Sequence, residues 1–181
     1  SRFASDPEPI CALRRRFPCA VVAGCSSSGE ILGEAILDDS VVAAVAEFGT
    51  TTLRRSTERI GEGDSTEVGA RLGRALLAPD LSGVLVFSDG LNVNGTELIR
   101  GLTAEIPPDV LVTGGLAGDG DRFERTWVLD DDAVPVAGVV SAVGLYGDAV
   151  RIGHGSRGGW DAFGPERTIT KAEHNVLYEL D

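Results

Sequence analysis

Residues 83–115 read GVLVFSDG LNVNGTELIRGLTAEI PPDVLVTGG, and this stretch decides the fold. The run 83–87 is short and apolar and ends in Ser-Asp-Gly, the pattern of a buried strand closed by a turn. Asn94 with Glu97 three residues on makes a capping-box-like helix start. Leu98, Leu102 and Ile106 then recur on one helix face. Pro107 and Pro108 stop that helix, and 110–113 reads as a second strand, closed by Gly114 and Gly115.

Outward from this unit the pattern changes. Strands are expected at 125–129 and 138–146, on either side of the acidic turn Asp130, Asp131, Asp132. Upstream, Asp64 suits an N-cap for a helix carrying Val68, Leu72 and Leu76. Another helix starts at Asp6 and Pro7 and carries Ile10, Leu13 and Phe17. Downstream, 149–154, 167–170 and 176–180 read as strands around a glycine-rich loop, 155–164. A doubly wound α/β fold would alternate strand and helix throughout. Here strands follow one another directly, so the expectation is an α+β domain: a mixed, largely antiparallel sheet with helices packed on it.

The chain also resembles itself. Val41-Val-Ala-Ala-Val-Ala-Glu-Phe-Gly49 aligns without gaps to Val139-Val-Ser-Ala-Val-Gly-Leu-Tyr-Gly147, with five of nine positions identical. Val22-Ala-Gly-Cys-Ser-Ser-Ser-Gly-Glu30 matches Val112-Thr-Gly-Gly-Leu-Ala-Gly-Asp119 with one gap, and Phe3-Ala-Ser-Asp6 resembles Phe87-Ser-Asp-Gly90. Three anchors in one order suggest a pseudo-twofold duplication of β-α-β-β-type halves. On that reading 41–48 is a strand equivalent to 139–146, and the helix at 10–17 lies over that at 97–106. Val41, Val45, Val139 and Val143 are then all buried.

The chain has 181 residues, 43% of them apolar and 24% charged, which suits a single soluble domain spanning 1–181. The net charge of −12 makes nucleic acid and anionic membrane surfaces poor partners. Arg14, Arg15 and Arg16 form the one tight basic cluster and read as a solvated helix face. No apolar run reaches the ~20 residues of a spanning helix, and no signal-peptide pattern opens the chain. Cys11, Cys19 and Cys25 are three in number and fit no zinc spacing, which points to a reducing, cytoplasmic setting. One lysine beside fifteen arginines points to a GC-rich bacterial genome. The absence of Met and of an opening strand for the first half suggests a segment cut from a longer protein. Such a segment is expected to be less stable than the whole and to bind its ligand more weakly.

Glycine turns at strand ends let backbone N–H groups approach a ligand. The turn at Gly24 carries Cys25, Ser26, Ser27 and Ser28 where the matching turn has Gly115, Leu116 and Ala117. That asymmetry nominates Cys25, Ser26, Ser27 and Ser28 as the polar side of a pocket, with Gly114 and Gly115 as its backbone face. Ser88, Asp89 and Asp119 sit at strand ends beside glycines; the carboxylates could bind an ammonium group or only close Asx-turns. His154, between two glycines, suits a pocket mouth, as a hydrogen bonder or a metal or haem ligand. Catalysis would need Cys25 or a nearby Ser within reach of His154 as base. His174 is the only other histidine, and no histidine spacing marks a zinc enzyme.

Four of these segments resemble the N-terminal domain of the FIST family (F-box and intracellular signal transduction). They are Val22-Ala-Gly-Cys-Ser-Ser-Ser-Gly-Glu-Ile31, Val86-Phe-Ser-Asp-Gly90, Val112-Thr-Gly-Gly-Leu-Ala-Gly-Asp119 and Thr170-Lys-Ala-Glu-His-Asn-Val-Leu-Tyr-Glu-Leu-Asp181. The resemblance implies a sensory domain of signalling proteins that binds a small ligand, with amino acids suggested by gene neighbourhoods. It also implies a second, C-terminal FIST domain in the same chain. Some relatives bind haem, which makes haem at His154 an alternative; otherwise no cofactor is expected. The resemblance carries over no catalytic residue, and the expected function is binding without catalysis. The alternatives are a haem-based gas sensor and a hydrolase-like enzyme using Cys25 and His154.

Overall fold

The computed structural model describes residues 2–61, 64–155, 158, 161–173 and 176–181. After a 3-10 turn at Arg2–Ala4 the order is α1 (Glu8–Arg16), β1 (Glu30–Leu32), β2 (Ala35–Leu37), β3 (Thr52–Arg59) and α2 (Ser65–Leu76). Then follow β4 (Leu81–Ser88), α3 (Gly95–Ala104), β5 (Leu111–Leu116), β6 (Val128–Leu129) and β7 (Pro135–Val136). β8 (Val139–Tyr146), β9 (Ile169–Glu173) and β10 (Val176–Leu180) complete the chain. The main sheet runs β3-β8-β4-β5, antiparallel except for the parallel β4–β5 pair. This is the expected mixed α+β architecture. No helix among the described residues is long and apolar enough to cross a membrane.

The N-caps read from sequence at Asp64 and Asn94 form, but the capping box at Asn94 is half made, because the Asn94 N–H donates to the Ser65 hydroxyl at 3.0 Å rather than to Glu97. The Asp64 carboxylate accepts from the Thr66 N–H at 2.8 Å, and the Asn94 side chain accepts from the Glu97 N–H at 3.2 Å. Each satisfies a backbone donor that the first helical turn leaves orphaned. The predicted stripes are buried: Val68, Leu72 and Leu76 of α2 and Leu98 and Leu102 of α3, with Ile106 just beyond. They pack on Val84, Val86, Val140, Ala142 and Tyr146, one face of the sheet. The Tyr146 hydroxyl donates to the Leu76 carbonyl at 2.7 Å, closing the C-terminal end of α2.

α2 and α3 approach through glycine. A Cβ on Gly101 would lie 1.9 Å from the Thr66 carbonyl oxygen, and one on Gly69 2.0 Å from that of Leu98. The opposite sheet face is closed by Ala117, Val128 and Val139, with Cys25, Phe87 and Val136 beside them. A smaller cluster joins Ile10 of α1 to Trp127, Leu129 and Ala133.

The duplication does not emerge. Residues 41–48 form no strand, and Val41 and Val45 are 44% and 62% exposed, whereas Val139 and Val143 are buried as expected. β8 is central because β3 and β4 flank it and both its faces are covered. The segment 41–48 has neither flanking strand, and β1 and β2 pair only with each other. α1 packs on Trp127 and Leu129 rather than on α2 and the main sheet, so it has no equivalence to α3. No strand forms over 149–154, and 125–129 yields only Val128–Leu129. β5 runs through Gly114 and Gly115 instead of stopping there. Parts of the glycine-rich loop 155–164, and His174, lie outside the described residues.

Gly101→Ala should lower the unfolding free energy by about 1–3 kcal/mol, because backbone must move to admit the methyl group. Gly115→Ala, whose Cβ meets nothing within 4 Å, should change it by less than roughly 0.5 kcal/mol. Denaturant midpoints of the two variants check this contrast.

Candidate functional site

Two of the glycine turns singled out in the sequence meet. The Gly118 N–H donates to the Ser26 carbonyl at 2.9 Å, and the Gly120 N–H to the Ser28 hydroxyl at 3.2 Å. Only glycine fits at 118: a Cβ there would sit 2.5 Å from Ser28 Oγ and 2.9 Å from its backbone nitrogen. Ser26 is buried, and its hydroxyl accepts from the Trp127 N–H at 3.1 Å. The Ser26 N–H in turn donates to the Trp127 carbonyl at 2.9 Å. A bridge between Cys25 and Val128 and a Leu129 N–H to Gly24 carbonyl bond at 2.9 Å extend this pairing. From the other side, Arg55 of β3 donates to the carbonyls of Val22 and Asp131, tying the 20–25 stretch to the sheet.

The turn borders a cleft with two unlike halves. The polar half, about 420 Å³, is walled by Ser26, Ser27, Ser28, Glu30, Asp38, Asp39, Asp121 and Arg122. Glu30 accepts from the hydroxyls of Ser27 at 2.7 Å and Ser40 at 3.0 Å. Asp39 holds left-handed backbone, φ 49°, uncommon outside glycine. The apolar half, also about 420 Å³, lies between α1 and residues 41–46. Cys25, Val41, Val42 and Trp127 wall both halves. Each volume lies in the range of small-molecule sites, roughly 300–1,000 Å³.

Asp119 does not wall the cleft but shapes it. Its Oδ1 accepts from Arg122 Nη2 at 2.9 Å and Nε at 3.2 Å, and its Oδ2 from the N–H groups of Arg125 at 2.9 Å and Glu124 at 3.2 Å. The Arg125 N–H, with the Arg122 guanidinium, holds this carboxyl well below the usual carboxylate range. The loop it fastens carries Phe123 in left-handed conformation, φ 52°, and 76% exposed.

Asp89 takes the Asx-turn role. It is 1% exposed, and Oδ1 accepts from the N–H groups of Leu91 and Asn92 at 2.8 Å each. Oδ2 accepts from the Gly138 N–H at 3.0 Å. Burial pushes its pKa up, but the N–H groups of Gly138, Leu91 and Asn92 outweigh burial and leave it below the ordinary value. Ser88 is buried and donates to the Asp89 carbonyl at 3.0 Å.

Ser88, Gly114, Gly115 and His154 gather elsewhere, around a depression between α3 and the β5 edge of the sheet. His154 Nδ1 lies 3.1 Å from the Thr113 hydroxyl. Of the predicted site residues, Cys25, Ser26, Ser27 and Ser28 wall the cleft, Ser88, Gly114, Gly115 and His154 line the depression, and Asp89 and Asp119 wall neither, so Cys25 and His154 lie in different places. Burial pushes the Cys25 thiol up, opposite to an activated nucleophile. Among the described residues around His154 the fit to haem is poor: the depression has a volume of about 330 Å³, and none of the described residues lining it is a Lys or Arg that could meet the propionates. Among the described residues no group of three His, Cys, Asp or Glu side chains is placed to hold a metal ion.

Sequence reasoning missed Trp127, Arg122, Asp121, Asp39 and Glu30. The readable signal was Trp127, an amphipathic indole in a stretch otherwise rich in Arg and Asp. A family model, the FIST N domain, matches residues 1–181. A search of curated protein sequences gives no match.

Two outcomes test these assignments. Iodoacetamide near neutral pH should alkylate exposed Cys19 at least about tenfold faster than Cys25, followed by peptide mass spectrometry. A faster Cys25 would mark an activated thiol. Asp89→Ala should cost about 3 kcal/mol, since three backbone donors lose their acceptor. The stability contributed by the depressed Asp89 and Asp119 is present in full above the unfolded value of about 3.9 and is lost as pH falls through the lower folded values. Asp89→Asn should therefore flatten the acid limb of the stability curve.

Proposed function

Because the chain belongs to the FIST N domain family, a family of signal-transduction sensory domains, we propose that it is a small-ligand-sensing module that binds without catalysis. The ligand is an amino acid or a related amine-bearing metabolite, and it seats in the cleft beside Cys25, Ser26, Ser27 and Ser28. The observation that carries this reading is the two-sided cleft: a polar half and an apolar half that share Cys25, Val41, Val42 and Trp127. A ligand with a charged head and an apolar body would span both.

The setting we assign is the cytoplasm of a bacterium. Three free cysteines support a reducing compartment, and the net charge of −12 supports a role without nucleic-acid partners. The companion is a C-terminal FIST domain in the same chain. The β9–β10 hairpin is the surface we assign to it, since Ile169, Leu177, Tyr178 and Leu180 are 49–60% exposed.

A thermal-shift screen of amino acids and amine metabolites tests the reading. A ligand at 100 times its Kd adds about 2.7 kcal/mol of stability. Gly118→Ala, which displaces Ser28 from the cleft wall, should reduce the affinity of any hit at least about tenfold, while His154→Ala leaves it unchanged. The reverse pattern would move the site to the β5 edge, and a full screen with no hit would remove the small-ligand reading.

A further inference from the structure

The cleft's charges and its one unpartnered donor define a narrower ligand class, an inference that rests on the small-ligand reading above. Four carboxylates, from Glu30, Asp38, Asp39 and Asp121, wall the polar half against one guanidinium, Arg122. That guanidinium is already engaged, donating through Nε and Nη2 to Asp119. A ligand carboxylate entering here would face like charge with its only counter-ion committed elsewhere. An ammonium group, a compact cation with three donors, suits the same wall.

The second observation is independent of charge. Trp127 is 6% exposed and walls both halves of the cleft. Its indole Nε1 is buried and has no hydrogen-bond partner among the described residues, the one such side-chain atom there. A buried N–H without an acceptor is costly and rare in folded proteins. Because Trp127 walls both halves, an acceptor on a ligand seated at their junction is the partner we assign to this N–H. The acceptor must be neutral, since the carboxylate wall disfavours an anionic one.

We propose that the cleft selects an amine bearing a neutral oxygen acceptor, such as an amide, ester or hydroxyl, next to an apolar body, in preference to a free amino acid. In such a ligand the ammonium faces the carboxylates, the acceptor meets Trp127 Nε1, and the apolar group lies against α1.

Three probes separate the elements: leucinamide, leucine and isoamylamine. Leucinamide carries all three features, leucine replaces the neutral acceptor with a carboxylate, and isoamylamine has no acceptor. Titration calorimetry on the full chain at about pH 6.5, where an α-amino group of pKa about 8 is protonated, should rank leucinamide at least tenfold tighter than leucine and several-fold tighter than isoamylamine. Trp127→Phe should erase the preference over isoamylamine, and Asp121→Asn should shrink the preference over leucine. Because Trp127→Phe could unfold the protein, a second readout uses Trp160→Phe, which leaves one indole. Its N–H resonance should move downfield with leucinamide and not with isoamylamine. Leucine binding as tightly as leucinamide, with both weakened by Gly118→Ala, would overturn this proposal and leave the sensing site standing. An indole resonance that ignores leucinamide, or no binding by any of the three probes, would also overturn it; the wider metabolite screen judges the sensing reading separately.

Discussion

The Asp89 carboxylate is the constraint on which both halves of the molecule rest. It ends β4, the strand that pairs with β8 and β5, and it is almost wholly buried. An ionised carboxylate in such a place is tolerable only if donors replace its water. The chain supplies them from three directions: Leu91 and Asn92 just ahead, Gly138 just before β8, and the Asn92 side-chain amide at 3.1 Å. Its own N–H donates to the Val139 carbonyl, and the next residue's N–H to the Thr126 hydroxyl. Thr126 adjoins Trp127, whose N–H is held by Ser26. The turn built on this buried charge thus links the helix-backed sheet to the cleft through the Gly90–Thr126 and Trp127–Ser26 hydrogen bonds.

Elements whose stability is local were legible in the sequence. The caps at Asp64 and Asn94, the stripes of α2 and α3, and the apolar runs of β4 and β8 each state their fate within a dozen residues. The segment 41–48 was not legible, for the opposite reason. It matches 139–146 residue for residue in character, yet a strand exists only when neighbours take up its N–H and C=O groups. β8 is a strand because β3 and β4 pair with it, and Val139 is buried because Ala117 and Val128 cover its face, neither of which any pattern within β8 could reveal. Gly114 misled in the same way. Glycine often closes a strand, but here φ 147° lets β5 pass so close to Val86 that a Cβ would stand 1.9 Å from its carbonyl oxygen.

The site was half legible. The serine-rich turn at 25–28 and Asp119 were visible because small polar residues beside glycines announce exposed backbone. What completes the cleft arrives from 38–42, 120–122 and 127, segments separated by up to a hundred residues. No spacing rule connects an Asp at 39 with an Arg at 122. Their proximity is a product of the Gly118–Ser26 pairing, and that pairing depends on the missing Cβ at 118.

Packing is divided as sensing requires. The α2–α3–sheet layer is dense, with glycines drawing the helices to backbone contact. Between residues 21 and 50 the only buried side chain is that of Ser26, while Ile31, Leu32 and Ile36 of the β1–β2 hairpin are 62–80% exposed. Segments with few buried contacts sit at the low end of local stability and cost little to rearrange. A ligand can shift a conformational equilibrium only by its difference in affinity for the two states. The cleft places that difference well: one wall, at Trp127, is anchored to the sheet through Thr126 and Asp89, and the facing wall, at 38–46, is held by few contacts. Binding at the proposed site that engaged both walls would stabilise the loosely held one against the fixed one, and the change would be carried by the part of the chain whose rearrangement leaves the core intact.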